Sequence, residues 1–318
     1  MQTTTLGRTG LTVSVAGLGC GGWSKLGQGQ GKSIAHSVDI VRTALDSGVT
    51  FIDTAAGYGT EEIVGEAIRG RRDEVVISTK VPIYAGAFSD IDNVIDADAL
   101  ERGVDGCLAR LGVDCIDILH LHAVLPSQYD HACTELLPRL TRLQEKGKIR
   151  FTGLTERFND DTAHRMAPRA AADGYFDVLM IGLNFVNQTA LTSVLPITSA
   201  NGIGTLCMFA VRGPLARQDT AEALVRKLVA TREIDPSTFD DDAPLAFLTA
   251  PGVAASFTEA AYRFCRHAPG MDVTITGTGS REHLLENVAS LNMPPLPRQV
   301  LDRLGAIFGA VTSESTEV

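Results

Sequence analysis

An aspartate, a tyrosine, a lysine and a histidine stand at or just past the ends of separate apolar runs in this chain. Asp53 and Tyr58 lie in VTFIDTAAGY, Lys80 closes VVISTK, and His122 closes CIDILHLH. Together they make a set suited to moving a proton onto or off an oxygen. A free tyrosine titrates near pH ~10, too high to release its proton readily at neutrality. An ammonium beside it favours the phenolate, each unit of lowering corresponding to about 1.36 kcal/mol. Asp53 can keep Lys80 protonated and oriented, while His122 donates a hydrogen bond to a substrate oxygen beside Tyr58. Such a set acts on a carbonyl or an alcohol. It offers no nucleophile and no redox centre, so any hydride must come from a cofactor. Singly, each residue has a plainer reading as a helix cap, a rim aromatic or a solvated charge. Their arrival at successive strand ends favours chemistry.

The elements that position these residues follow from the spacing of apolar side chains. Short runs rich in Val and Ile, apolar on both faces, fall at 15–19, 50–53, 75–79, 116–121, 149–154, 178–182, 204–208 and 273–276, as expected of strands buried on both sides. Between them, 33–46, 61–69, 98–111 and 134–146 repeat apolar residues every three to four positions, marking helices with one buried face. Gly48, Gly112 and Gly147 follow three of them as stop signals. Strands alternating with helices predict an α/β fold, a (β/α)8 TIM barrel, preceded by a β-hairpin in TTLGRTGLTVSV. Parallel barrels place their chemistry at the C-terminal ends of the strands, where the four residues fall. A doubly wound sheet is the alternative, but no G-x-G-x-x-G turn follows the first strand. With no linker or repeat, residues 1–318 read as one domain, with 310–318 a disordered tail. The connection over 209–251 is long, carries its own helix near 220–231, and has the length of a ligand-covering segment.

Composition narrows the function classes. The 318 residues are 44% hydrophobic with a net charge of -10. Without a basic run, a nucleic-acid partner is not expected. No apolar stretch reaches the ~18 residues of a membrane span, and MQTTTLGRTG lacks a signal-peptide pattern. The six cysteines are scattered without a C-x-x-C pair, which suits reduced thiols in a cytoplasmic protein. His120 and His122 share one face of a strand, as metal-binding H-x-H pairs do. No later His or carboxylate set completes a shell, so no metal is expected, and His120 reads as a group that supports the site from behind or lines the pocket. A non-catalytic cofactor-binding regulator on the same barrel is the other rival. The sequence leaves the oligomeric state open.

The stretches LGRTGLTVS, GVTFIDTAAGYGTEEIVGEAI, ISTK, CLARLGVDCIDILHLH, LQEKGKIRFTGLT and TGTGSREHLLEN resemble the aldo-keto reductase superfamily over nearly the whole chain. That resemblance implies a nicotinamide cofactor bound without a Rossmann motif, and a catalytic tetrad of Asp53, Tyr58, Lys80 and His122. Tyr58 would be the general acid/base and Lys80 its pKa-lowering partner. DILHLH with LLPRLTRLQEKGKIRFTGLT is most similar to the sugar-oxidising branch of L-galactose and related aldose dehydrogenases. Oxidation of an aldose at C1 to a lactone is thus implied, with NADPH-dependent reduction of small aldehydes or ketones as the alternative. Implied cofactor contacts are Gly22, Thr155, Met208, Phe209, Arg212, Gly277, Thr278, Gly279, His283, Glu286 and Asn287. Trp23, the only tryptophan, and His120 would line the substrate pocket, with the loops 84–93 and 123–131. The chain departs from the family where Ser-Asn is replaced by Thr155-Glu156, the usual Gln by Met180, and the stacking aromatic by Met208 followed by Phe209. Relatives preferring NADP carry Lys and Arg where this chain has Gly277 and His283. The expected cofactor is therefore NAD, with Arg281 as the cation that would admit NADP.

Overall fold

Each of the eight apolar runs forms a parallel strand, and together they close a barrel. The computed structural model describes residues 1–86, 92–239 and 243–315. An antiparallel hairpin of β1 (Thr3–Thr5) and β2 (Thr12–Ser14) comes first. The barrel strands are β3 (Ala16–Gly19), β4 (Phe51–Asp53), β5 (Val76–Pro82), β6 (Ile116–Val124), β7 (Ile149–Glu156), β8 (Val178–Gly182), β9 (Gly204–Met208) and β10 (Val273–Thr276). They run in chain order around the barrel, and β10 pairs with β3 to close it.

Successive side chains in a strand point to opposite faces, so the barrel has an interior set and an exterior set. Phe51, Ile118, Val178, Met180, Leu206 and Val273 fill the lower interior, joined by Leu6 and Val13 from the hairpin. The hairpin thus plugs the end opposite the strand C-termini. Higher up, the interior turns polar with Asp53, Ser78, Lys80 and His120, all buried. The outward-facing apolar residues pack on the helices in one continuous core.

The helices lie close to their expected spans. The helix Ile34–Asp46 is N-capped by Ser33, whose side chain accepts from the His36 amide. Ala97–Leu111 is capped by Asp96 and ends at Gly112, which takes the left-handed conformation. The segment expected as one helix over 134–146 differs in its first turn: Ala132–Leu136 is a π-turn and only Leu137–Glu145 is α-helical. Pro138 has no N–H to give the carbonyl of Thr134, so the regular ladder cannot form there. The helix in the long connection spans Gln218–Ala230. Loop 84–93 lies partly, and the tail's last three residues wholly, outside the described residues. Before those residues the tail packs against the body of the protein. Val311 is buried, Glu314 pairs with Lys227 at 2.8 Å, and Asn187 Nδ2 donates to the Glu314 carbonyl at 3.2 Å. The contacts come from one apolar residue, one ion pair and hydrogen bonds that its composition does not reveal.

Candidate active site

Asp53, Lys80 and His122 are carried into one cleft by adjacent strands. Asp53 is the last residue of β4, and in the β5–β6 ladder Lys80 pairs with His120 and Pro82 with His122. Tyr58 follows β4 in a short turn, Ala56–Tyr58. Lys80 is fully buried and donates to Asp53 Oδ1 at 2.7 Å, Asp53 Oδ2 at 2.6 Å and the Thr54 carbonyl at 2.7 Å. Ser78 Oγ donates to Asp53 Oδ1 at 2.8 Å. The ammonium sits 5.0 Å from the Tyr58 ring centroid, and the Tyr58 and His122 rings meet edge to face at 5.7 Å.

Electrostatics follow from burial and this one cation. Burial alone would lower the Lys80 pKa, but Asp53 and Tyr58 raise it above its ordinary value. Lysine therefore keeps its proton inside the barrel. Burial pushes the Tyr58 phenol above its ordinary value, while the charge of Lys80 and its hydrogen bonding pull the other way. The expected lowering of Tyr58 is thus present as a pull but outweighed by desolvation, and the phenol stays protonated. Burial, with Lys80 adding to it, brings His122 down to about 3, so its ring is neutral. Its Nδ1 is buried and has no hydrogen-bond partner among the described residues. The arrangement can give a proton from Tyr58 to an oxygen that also accepts from a neutral imidazole.

The other expected site residues divide. Gly22 and Trp23 follow β3, both exposed, and the Trp23 side chain stands out at 79% exposure. It is a rim aromatic and not a wall of a closed pocket. His120 is fully buried in the barrel interior, which corrects the pocket-lining expectation and leaves the reading as a group behind the site. Thr155 Oγ1 accepts the Ala123 amide at 2.8 Å. Ala123 has a positive φ of 60° and sits at the register shift between β6 and β7. Thr155 therefore anchors the bulge just beyond His122, with its hydroxyl proton left to donate. Glu156 is buried, accepting the Gly182 amide at 2.7 Å and pairing with His164 Nδ1 at 2.8 Å. Phe158 stacks on His164 at 5.1 Å and tilts against Phe209 at 5.7 Å. Met208 ends β9, and the Arg212 guanidinium lies 4.1 Å over the Phe209 ring while donating to Asn159 Oδ1 at 3.3 Å.

At the β10 end, Gly277 is exposed and Thr278 and Gly279 are buried. Thr278 Oγ1 accepts the Ser280 amide at 3.0 Å, and Ser280 caps the helix Arg281–Leu291. His36, on the first helix, bonds the Gly279 carbonyl at 2.7 Å, tying the loop to the neighbouring segment. Arg281, His283 and Glu286 are exposed beside it. Asn287 is buried with Nδ2 committed to Thr276 Oγ1 at 2.8 Å. It braces the strand end where the loop begins. A glycine-rich loop running into a capped helix N-terminus suits a phosphate-bearing cofactor, because amides and dipole both face an anion.

Sequence reasoning missed two residues that make room for the set. A Cβ on Gly21 would come 2.4 Å from Tyr58 Cε2, and one on Gly153 would come 2.2 Å from His120 Nδ1. For Gly153 the available signal was a glycine inside a β-strand pattern, which marks close approach of another group; Gly21 lies past the end of its strand and gave no such signal.

Comparison with known proteins agrees with this geometry. The model of the aldo/keto reductase family matches residues 17–308. The chain is 31% identical over 212 residues to L-galactose dehydrogenase of Arabidopsis thaliana, covering 63% of this chain and 62% of that enzyme. The match thus spans less than two thirds of the plant enzyme's own length. Aldo-keto reductase YhdN of Bacillus subtilis (strain 168) is 31% identical over 235 residues, covering 70% of this chain and 67% of the relative. Among solved structures, an aldo-keto reductase from Bacillus halodurans in its holo form superposes with a TM-score of 0.73 at 21% identity, over 100% of both chains. An aldo/keto reductase from Klebsiella pneumoniae in complex with NADP and acetate gives 0.68 at 22% identity, over 96% of this chain and 95% of its own. The two structures show the shared barrel, and the family match covers most of the chain. This chain belongs to the aldo/keto reductase family, a class of NAD(P)-dependent oxidoreductases.

Proposed function

We propose that this chain oxidises an aldose at C1 to a lactone with NAD, using Tyr58 as general acid/base. The observation that carries the catalytic part is the clamped lysine: Lys80, held by both oxygens of Asp53, lies against Tyr58 with neutral His122 at the ring's edge. The bound nicotinamide supplies or accepts the hydride. This chain's own residues handle the oxygen. Tyr58 Oη gives or takes its proton, His122 donates a hydrogen bond to it, and Lys80 stabilises negative charge on the phenol. Thr155, Met208, Phe209 and Arg212 would hold the nicotinamide and pyrophosphate end. Gly277, Thr278 and Gly279 would hold the far phosphate and ribose, with His283 and Glu286 beside them. The choice of an aldose rests on similarity to the plant L-galactose dehydrogenase, and exposed Trp23 offers a sugar a ring to stack on. We place the enzyme in the cytoplasm, acting as one domain on a small molecule.

One observation favours a second reading, reduction of small aldehydes or ketones with NADPH. The raised phenol pKa leaves Tyr58 protonated, the form that a carbonyl oxygen needs from it. Side-by-side fluorescence titration with NADH and NADPH, followed by turnover of aldoses with NAD and of aldehydes with NADPH, separates the two. Tighter NADH binding with lactone formation supports the first. Tighter NADPH binding with no aldose turnover sinks it.

A further inference from the structure

His120 has no place in the reaction as described, yet it is the most anomalous polar side chain in the barrel. It is fully buried, and neither ring nitrogen has a hydrogen-bond partner among the described residues. The Leu154 carbonyl lies near the ring without reaching hydrogen-bond geometry. Its place is nonetheless built: Gly153 lies opposite it on β7, and any larger residue there would collide with the ring. Across the other ladder its partner is Lys80. His122, two residues along the same strand, projects to the same side, so the two side chains follow one another along the strand. The buried Nδ1 of His122 is likewise without a partner. Three imidazole nitrogens in one buried region therefore lack partners among the described residues, and buried polar atoms of this kind are normally satisfied by an internal water.

We propose that His120 is a positioning residue: through an internal water shared with His122 Nδ1, it fixes the tautomer in which His122 carries its proton on Nε2, toward the cleft. The geometry of exchange is simple. The water accepts the N–H of neutral His120 and donates to unprotonated His122 Nδ1, which leaves Nε2–H as the only donor of the catalytic imidazole. No protein group does this for His122 directly. Because burial and Lys80 keep His122 neutral, its usefulness to a substrate oxygen depends on which nitrogen holds the proton. The proposal rests on the reading of His122 as hydrogen-bond donor to substrate, but its readout does not.

The test is the tautomer of His122 in protein labelled with 15N-histidine, read by long-range 1H–15N correlation in wild type, His120→Leu and His120→Gln. Cofactor affinity and turnover are measured alongside. The expected wild-type signal is Nε2-protonated His122. In His120→Leu the signal should become a mixture of tautomers, with kcat about tenfold lower and cofactor Kd unchanged, less than the roughly 10²–10⁴ carried by a proton-transfer group itself. His120→Gln, which can still hydrogen-bond a water, should restore both. An Nδ1-protonated wild type, or an unchanged tautomer in His120→Leu, overturns the proposal. If His120→Leu does not fold, the wild-type and His120→Gln spectra decide it. A tautomer shift in a protein that turns over no carbonyl or alcohol would keep the positioning role and sink the catalytic reading instead.

Discussion

Whether Tyr58 serves as acid or base turns on a contest between burial and one ammonium. Asp53 and Tyr58 raise the Lys80 pKa against the effect of burial, yet desolvation of the phenol outweighs the pull of that ammonium. The sign of the pH dependence follows. Carbonyl reduction uses protonated Tyr58, so its rate should hold through neutral pH and fall as pH rises through the raised phenol pKa. Alcohol oxidation uses the phenolate and should rise over the same range. Profiles of kcat/KM in both directions check this, and an oxidation rate that falls with increasing pH would contradict it. Tyr58→Phe should lower kcat by roughly 10²–10⁴ while leaving cofactor affinity intact. A variant that retained turnover would remove Tyr58 from the mechanism and revive the reading of a cofactor-binding protein without catalysis.

At the scale of elements, the strands set the spacing of the site and the glycines set its clearances. Asp53, Lys80 and His122 come from three neighbouring strands whose register was accessible only as a pattern of apolar runs. The turn that brings Tyr58 back over the barrel packs its ring on Gly21, at the end of a different strand. Gly21→Ala would put a methyl 2.4 Å from that ring. The ring must then move, and displacement of a reacting group by about 1 Å can cost on the order of 10² in rate. The expected result is a loss of that order in kcat with a melting temperature close to wild type. Full activity would mean that the ring has another resting place. The β6–β7 bulge is the second such device, since the Ala123 amide on Thr155 Oγ1 turns the chain just after His122.

The whole molecule decides which cofactor end is recognised. The β10 loop is tied to the first helix through His36 and the Gly279 carbonyl, so its exposed residues face a fixed edge. Arg281 and His283 are exposed there, while Gly277 offers no side chain. A 2′-phosphate without cationic partners is poorly compensated, and hydrogen bonds to charged groups contribute roughly 1.5–3 kcal/mol each. Gly277→Lys combined with His283→Arg should therefore move the NADP/NAD ratio of kcat/KM toward NADP by about tenfold or more. The new Cβ at Gly277 meets the Gly19 carbonyl oxygen at 3.1 Å, a contact relieved by a small shift. An unchanged ratio would place the phosphate elsewhere.

Eight strands, the N-terminal hairpin and the four residues of the candidate tetrad were legible in the chain because each depends on local information. Apolar runs, 3-to-4 spacings and the residue at a strand's end are read one segment at a time. The family-specific stretches added roles to those positions. Four things were not legible: the upward shift of Tyr58, the burial of His120, the anchoring role of Thr155 and the docking of residues 311–315. Each depends on what another segment, distant in sequence, brings alongside. Desolvation of the phenol comes from the closed barrel around it, room for His120 from Gly153 on the next strand, and the tail's partners from Lys227 and Asn187. Sequence by itself determined which groups stand at the strand ends. Only the tertiary structure decided how far each is removed from water and which partner it meets, because burial and contact are properties of the packed barrel and not of any one strand.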